Sequence, residues 1–268
     1  MIGGHLLGIM QGRLTNAPKG EGLDWFPFNS WRDEFSLAKD LGFLNVEFVI
    51  DREKSKKNPI WSQSGRESII DAFNANNITP LACCFNFVID YPIVEKKNID
   101  DCLKAIKNSS FVGFRYAVIP LFQASDVESC NIVNLVNSLN ILMSAAKCCD
   151  IQLLLETNLS GRKTLNLVSQ LGGEIGIVYD IGNATQCGHD IEDDLHVLST
   201  LIKHVHIKDK DSNGENVELG FGNVLFEKFF KKLKEINYKG SYTLETSRGF
   251  DAIERARSNM RFVDRFLY

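Results

Sequence analysis

The sequence has no long apolar run and no excess of basic residues. Its apolar runs all stop short of the roughly 18 residues that a membrane-spanning helix needs. Acidic residues outnumber basic ones by 34 to 30, for a net charge of −4, so no positive surplus is available to meet the phosphates of a nucleic acid. We therefore expect neither a membrane nor a nucleic acid as a partner. A homo-oligomer stays open.

The seven cysteines, an odd number, include no CxxC spacing of the kind that binds zinc. Two adjacent pairs, Cys83-Cys84 and Cys148-Cys149, lie in apolar segments, which is typical of buried reduced thiols. The segment Met1–His5 lacks the basic region and apolar stretch of a secretory signal. These features predict a protein of the reducing cytoplasm.

Short apolar runs alternate with longer amphipathic stretches along the whole chain. Each run is rich in Ile, Leu and Val, and such continuous runs are typical of parallel strands that are buried on both faces. The runs begin near Leu6, Asn45, Thr79, Arg115, Ile151, Ile175, His204 and Ser241.

Helical patterns fill the intervals between these runs and follow the last one. They cover Trp31–Leu41, Ser64–Asn76, Ile99–Ser109, Ile132–Cys149, Thr164–Leu171, Ile191–Ile202, Leu225–Ile236 and Ala252–Phe266. Eight strand–helix units predict an α/β fold, a (β/α)₈ TIM barrel that forms a single domain over residues 1–268. An open, doubly wound sheet is the alternative, but no GxGxxG motif follows the first strand.

The carboxyl ends of the barrel strands are where the active site of this fold lies. Glu156, Asp180 and Glu245 end the predicted fifth, sixth and eighth strands, and His206 lies in the second half of the seventh. A carboxylate at the end of an apolar strand is costly unless it is paired or binds a metal. We predict that these four residues bind one divalent metal. The oxygen-rich set favours Mn²⁺ or Mg²⁺ and is compatible with Co²⁺ or Zn²⁺.

Seven motifs spread over nearly the whole chain resemble those of the xylose-isomerase-like TIM-barrel superfamily, which contains sugar phosphate isomerases and epimerases. They are GIMQGRL at Gly8–Leu14, VEF at Val46–Phe48, LLLET at Leu153–Thr157, YDIGNA at Tyr179–Ala184, HVHIKDK at His204–Lys210, LGFGNVLF at Leu219–Phe226 and LETSRG at Leu244–Gly249. The resemblance implies the same four metal ligands. It also implies that Glu156 and Glu245 are catalytic and act as proton donor and acceptor on a sugar or sugar phosphate.

Such a site stabilises the enolate that forms when a proton leaves the carbon next to a carbonyl. Return of the proton to the opposite face of that carbon gives an epimer, and return to the adjacent carbon interconverts aldose and ketose. The sequence does not choose between them. A metal-dependent dehydratase or lyase on the same barrel, and a non-catalytic carbohydrate-binding barrel, are the alternatives.

Five further residues are candidates for contact with the substrate. Glu47 ends the second strand, where it could bind a sugar hydroxyl or form a salt bridge. Lys208 could neutralise a phosphate or pair with a metal-site carboxylate. Asn183 stands where many relatives carry a substrate-binding His, Arg248 follows Glu245 by three residues, and Gln11 ends the first strand.

Two further expectations concern residues near the predicted seventh strand. We expect His204 to face the helices and not the metal. Gly220 and Gly222 precede a helix, where glycines can form a phosphate cradle or simply a turn.

Overall fold

Eight parallel strands close into a barrel in the computed structural model, which describes residues 6–267. The interpretation of Met1–His5 lies outside the described residues. The strands are β1 (Leu7–Met10), β2 (Asn45–Ile50), β3 (Ala82–Phe85), β4 (Tyr116–Leu121), β5 (Gln152–Thr157), β6 (Gly176–Asp180), β7 (Ile202–Ile207), β8 (Asp209–Lys210), β9 (Asn216–Val217) and β10 (Ser241–Leu244). Neighbouring strands follow the order β1-β10-β7-β6-β5-β4-β3-β2, and β8 pairs with β9 in a separate antiparallel hairpin.

The helices form the outer layer of the barrel. They are α1 (Asp33–Leu41), α2 (Gln63–Asn76), α3 (Lys96–Val112), α4 (Ile132–Cys148), α5 (Gly161–Val168), α6 (Ile181–Gln186), α7 (Ile191–Val197), α8 (Phe226–Glu235) and α9 (Ala252–Leu267), with short 3-10 helices at Pro59–Trp61, Asn86–Ile89 and Gln123–Ser125. No helix in the described part of the chain is long and apolar enough to cross a lipid bilayer.

Burial of the strands follows from their apolar sequences. Every residue of β2 and of β4 is buried, as expected for parallel strands with helices on one side and the packed barrel interior on the other. The helix α1 is followed by its C-cap residue Gly42, whose φ of 96° places it in the left-handed region that glycine adopts without strain. The predicted (β/α)₈ fold is confirmed.

The predicted helix over Ile191–Ile202 is wrong in its last part. The helix α7 ends at Val197, and Ile202 instead begins β7, where it pairs with Ile177 of β6. The amphipathic pattern of the sequence continues through the turn between α7 and β7, so the pattern alone does not show where the helix ends. Cys148 is exposed, so the expectation of a fully buried pair fails there, although all seven cysteines are free thiols.

A glycine-rich loop follows the β8–β9 hairpin, and its backbone N–H groups donate hydrogen bonds to the side chain of Asp209. Asp209 is completely buried, and its oxygens accept hydrogen bonds from the backbone N–H groups of Lys210 at 3.0 Å, Gly220 at 2.9 Å, Gly222 at 2.9 Å and Val224 at 3.1 Å. A Cβ on Gly222 would overlap this carboxylate. The N–H groups that could have formed a phosphate cradle are therefore already occupied.

Replacing Asp209 with Ala should destabilise the protein by about 2–5 kcal/mol, because it leaves several buried N–H groups without an acceptor. Denaturant unfolding followed by circular dichroism measures this loss. Asp211→Ala is the matched control, since the carboxylate of Asp211 accepts two exposed backbone N–H groups and should cost about 1 kcal/mol or less. Equal losses for the two variants would contradict a structural role for Asp209.

Candidate metal centre

Four side chains from adjacent strands meet at the carboxyl end of the barrel. Each of Glu156, Asp180, His206 and Glu245 offers one ligand atom, and these atoms all lie within 4.8 Å of one another. The His206 Nδ1 atom lies 3.2 Å from Glu245 Oε2, 3.4 Å from Glu156 Oε1 and 4.0 Å from Asp180 Oδ2. The structure thus brings the four predicted ligands to one point.

The ring nitrogen of His206 that does not face the other three predicted ligands contacts the buried carboxylate of Glu47. Its Nε2 atom lies 3.1 Å and 3.2 Å from the two oxygens of Glu47, and both side chains are inaccessible to solvent. When Nε2 donates its proton to Glu47, the lone pair of Nδ1 points towards the three other ligands. A carboxylate behind a histidine commonly fixes the tautomer of a metal ligand in this way.

The centre of the site favours a positive charge. His206 Nδ1 is buried and makes no hydrogen bond within residues 6–267. Burial alone would lower the pKa of His206, but Glu47 and Glu156 outweigh it and raise that pKa well above its usual value. An unpartnered ring nitrogen facing three carboxylates fits a hard divalent cation, with Glu156, Asp180, His206 and Glu245 as its ligands.

The three carboxylates differ in their electrostatic surroundings. Burial raises the pKa of Glu156 to about 7, and it also raises the pKa of Asp180. Burial would do the same to Glu245, but Lys208 and His206 together hold the pKa of that carboxyl well below its usual range. Glu245 is therefore the more firmly ionised of the two glutamates.

Lys208 occupies the position between two of the ligands. Its Nζ atom lies 2.8 Å from Asp180 Oδ2 and 2.9 Å from Glu245 Oε2, and its side chain is buried. The side chain of Lys208 packs against Gly182, where an added Cβ would collide with it. Of the two roles considered for Lys208, the structure shows the ion pair with metal-site carboxylates.

A cavity of about 400 Å³ opens directly above these residues. Its wall combines apolar side chains with amides and three cations, which suits a small polar molecule. The residues that line it include Met10, Leu23, Asp24, Arg52, Asn86, Ile89, Pro120, Phe122, Asn158, Asn183, Lys208, Lys210 and Asn216, together with Glu156 and Glu245. A larger cleft, of about 870 Å³, lies near the amino ends of β4 and β5, away from the groups of metal-ligating side chains found within residues 6–267.

Several lining residues were not singled out from the sequence. Arg52 donates to both oxygens of Asp90 and to Gln123, and so ties three loops together at the rim. Asn86 and Asn158 each follow the last residue of a barrel strand by one position. The position one residue past a strand end is a signal that would have identified these amides.

The expectation for His204 is wrong, and the structure also shows what Glu47 contacts. His204 does not face the helices: its Nε2 atom lies 2.9 Å from Glu47 Oε2 and 2.9 Å from Thr243 Oγ1. Residues two apart on a strand share one face, so His204 lies on the same side as His206. Glu47 is fully buried, contacts both rings and does not line the cavity, so of the two roles considered for it the structure shows the salt bridge.

Two other predicted substrate ligands make contacts within the protein. Arg248 donates to the backbone carbonyls of Gly12 at 2.5 Å, Gly22 at 3.0 Å and Leu23 at 2.9 Å, and thereby anchors the loop that follows β1. Gln11 donates to the carbonyl of Trp31 and does not line the cavity. Asn183, in contrast, lines the cavity, and its contact with substrate stays a prediction.

Comparison with known sequences finds a family described as "Xylose isomerase-like TIM barrel", whose pattern matches residues 35–266. An L-ribulose-5-phosphate 3-epimerase of Salmonella paratyphi A is 27% identical over 233 residues, which is 80% of this chain and 81% of the relative. The corresponding protein of Escherichia coli is 25% identical over 231 residues, again 80% of this chain and 81% of the relative. These relatives are sugar epimerases.

Comparison with solved structures finds the same fold. A D-psicose 3-epimerase of Clostridium cellulolyticum H10, solved with D-tagatose, superposes with a TM-score of 0.76 at 14% identity and covers 97% of this chain and 99% of its own. A xylose isomerase-like TIM barrel protein of Mycobacterium smegmatis, solved in complex with magnesium, gives a TM-score of 0.71 at 16% identity, with coverages of 97% and 95%. At these identities the likeness concerns the fold alone.

Proposed function

We propose that this chain, which belongs to the xylose isomerase-like TIM-barrel family, is a divalent-metal-dependent sugar isomerase of the epimerase kind. The observation that carries the proposal is the meeting of Glu156, Asp180, His206 and Glu245, with ligand atoms within 4.8 Å of one another, at the floor of a cavity of about 400 Å³. The sugar epimerases among its relatives support epimerisation over exchange between aldose and ketose.

The two glutamates are placed to exchange a proton with the substrate from two sides. Glu156 belongs to β5 and Glu245 follows β10, and β6 and β7 separate these strands in the barrel. One carboxylate removes the proton next to the carbonyl, and the other glutamate, in its protonated carboxylic acid form, donates a proton to the opposite face of the same carbon. A divalent metal bound between them would supply a Lewis acid that stabilises the negative charge formed on the substrate oxygen.

Neighbouring cations prepare Glu245 for this role. Lys208 contacts one of its oxygens at 2.9 Å, and Arg13 approaches the other at 3.9 Å. Both cations favour the carboxylate form, which accepts a proton. Glu156, whose pKa burial raises to about 7, has no such lysine partner among the described residues.

The cavity wall suits a sugar. Asn86, Asn158 and Asn183 present amide groups, which can both donate to and accept from hydroxyls. Leu23 and Phe122 offer apolar surface for the C–H groups of the same molecule. These amides orient a polyhydroxylated chain over the two glutamates, so that one carbon lies between them.

Exchange of a substrate hydrogen with solvent deuterium tests the proposal. Protein stripped of metal by a chelator and then loaded with Mn²⁺ or Mg²⁺ is incubated in D₂O with a panel of ketoses and ketose phosphates, and proton NMR follows the reaction. We expect loss of the signal of the C–H group next to the carbonyl and growth of one epimer, in the loaded protein and not in the stripped protein. A fully loaded protein that exchanges no such hydrogen on any member of the panel would refute the proposal.

A further inference from the structure

We propose that Asn86 is a specificity-determining residue of this site: its amide donates a hydrogen bond to one hydroxyl oxygen of the non-reacting part of the sugar, and the thiol of Cys84 fixes the amide in the orientation that does so. The inference rests on the proposed function, because it places the reacting carbon between Glu156 and Glu245. It adds the group that recognises the rest of the sugar and a positioning residue next to it.

The predicted metal ligands occupy one half of the barrel and leave the other half for the non-reacting part of the sugar. These ligands belong to, or directly follow, the adjacent strands β5, β6, β7 and β10, so β1, β2, β3 and β4 form the opposite half. The strand β3 lies directly across from β7, since three strands separate the two in either direction. The carbons that do not react extend towards β3, because the ligands and Lys208 fill the other side.

A buried amide lies in this opposite half of the cavity wall. Asn86 follows β3 by one residue, lines the cavity and is 8% exposed. Asp24, Arg52 and Gln123 line the same half, but they are more exposed and contact one another, with Arg52 3.4 Å from Asp24 and 2.8 Å from Gln123. A polar group that is buried in a cavity wall needs a partner, and a bound sugar supplies one for Asn86.

The thiol of Cys84 determines which end of this amide faces the sugar. Its S–H group donates to Asn86 Oδ1 at 3.0 Å, and both side chains line the cavity. Burial and the nearby negative charge of Glu47 raise the pKa of the thiol well above its usual value, so the thiol stays protonated and keeps its donor. The Nδ2 atom of Asn86 donates to no acceptor in the described part of the chain. With the oxygen engaged by the thiol, the NH₂ group is left for the sugar.

An amide that is fixed as a donor distinguishes sugars by the position of their oxygens. An N–H group binds the lone pair of a hydroxyl oxygen but gains nothing from a C–H group in its place. A sugar that lacks this hydroxyl also leaves the N–H group without an acceptor in a site from which water is displaced, which adds to the loss. We therefore expect Asn86 to select a ketose with a hydroxyl at one position beyond the reacting carbon over the corresponding deoxy sugar.

Deoxy sugars measure this selection. The metal-loaded wild type is assayed with a ketose and with a set of its deoxy analogues, each lacking one hydroxyl beyond the reacting carbon. In Asn86→Ala, the ratio of kcat/KM for the parent sugar to that for the deoxy sugar should fall by about 3- to 30-fold at one position and stay unchanged at the others. In the wild type, the fluoro analogue at that position should react faster than the deoxy sugar, since fluorine accepts a weak hydrogen bond but donates none.

Variants of Cys84 test its positioning role. Cys84→Ala should lower the same ratio by a smaller factor, since the freed amide still turns its NH₂ group to the sugar for part of the time. Cys84→Ser should keep the wild-type ratio, because a hydroxyl also donates to Oδ1. In the Asn86→Ala background, Cys84→Ala should have no further effect on the ratio, and a general loss of packing would not produce this non-additivity.

Cys83→Ala is the matched control. Cys83 is the neighbour of Cys84 and is also buried, but it belongs to the core between strands and helices and does not line the cavity. This variant removes the same group and should keep the wild-type ratio at every position. Metal content and thermal unfolding of each variant show that the site is loaded and the barrel is folded.

Three results would overturn the inference: wild-type ratios at every position in Asn86→Ala, a wild-type ratio in Cys84→Ala, or equal losses for the fluoro and deoxy sugars in the wild type. The last of these needs no variant to fold. Failure of the proposed function has a different signature. In that case the wild type exchanges no C–H hydrogen with any sugar, while equilibrium binding of parent and deoxy sugars, followed by NMR of the ligand, still decides whether Asn86 binds the hydroxyl.

Discussion

Glu156→Gln and Glu245→Gln should each lower turnover on the order of 10²- to 10⁴-fold, the usual cost of losing a general acid or base. The amide keeps an oxygen that can contact a metal, but it can neither accept nor donate the proton that moves to and from carbon. Both side chains lie at the floor of the cavity, so the effect should appear in kcat and leave substrate binding measurable.

Turnover and metal content should be measured side by side for each variant, because a lost ligand also weakens metal binding. Glu128→Gln is a suitable control, since Glu128 is exposed, pairs with Lys163 and is not among the residues that line the cavity. If either active-site variant bound a full complement of metal and turned over at the wild-type rate, that residue would not be the acid or base.

Glu47→Gln should weaken metal binding by about 10- to 100-fold, although Glu47 is not a predicted ligand. The carboxylate of Glu47 accepts from the Nε2 atoms of both His206 and His204. An amide has one acceptor oxygen and one NH₂ group, so one ring must face a donor. Where that ring is His206, its proton moves to Nδ1 and blocks the atom that faces the metal.

Metal affinity by chelator competition and the ¹⁵N shifts of the His206 ring measure the two parts of this effect. Glu34→Gln is the matched control, because Glu34 is also buried but accepts the backbone N–H groups of Gly12 and Leu14 and makes no hydrogen bond or ion pair with a histidine among residues 6–267. Both variants should lose stability, whereas the change in metal affinity should be confined to Glu47→Gln. Unchanged affinity and an unchanged His206 tautomer would show that Glu47 is only structural.

The position of the four predicted ligands was readable from the sequence, because a parallel barrel brings all strand ends to one face. Glu156 and Asp180 end apolar runs that admit little other interpretation. His204 was readable too: residues two apart on a strand share a face, and the expectation that it faces the helices neglected that rule. The signal was present in the sequence, and the inference drawn from it was wrong.

The contacts of the loops could not be read in the same way. Arg248 lies close in sequence to Glu245, yet its guanidinium donates to carbonyls of a loop more than two hundred residues earlier in the chain. The choice between a phosphate and a carboxylate as the partner of Lys208 depends on where Asp180 and Glu245 place their oxygens. Such contacts depend on distances across the barrel, and no local pattern encodes them.

The position of Lys208 has a consequence for the order in which the protein is assembled. Three buried carboxylates without a counter-charge would repel one another, but the lysine ammonium contacts two of them directly. The chain thus carries a resident cation that offsets this repulsion before any metal binds. Under the proposed metal dependence, folding need not wait for an ion, and the supply of metal would set how much of the finished protein is active without setting how much of it accumulates.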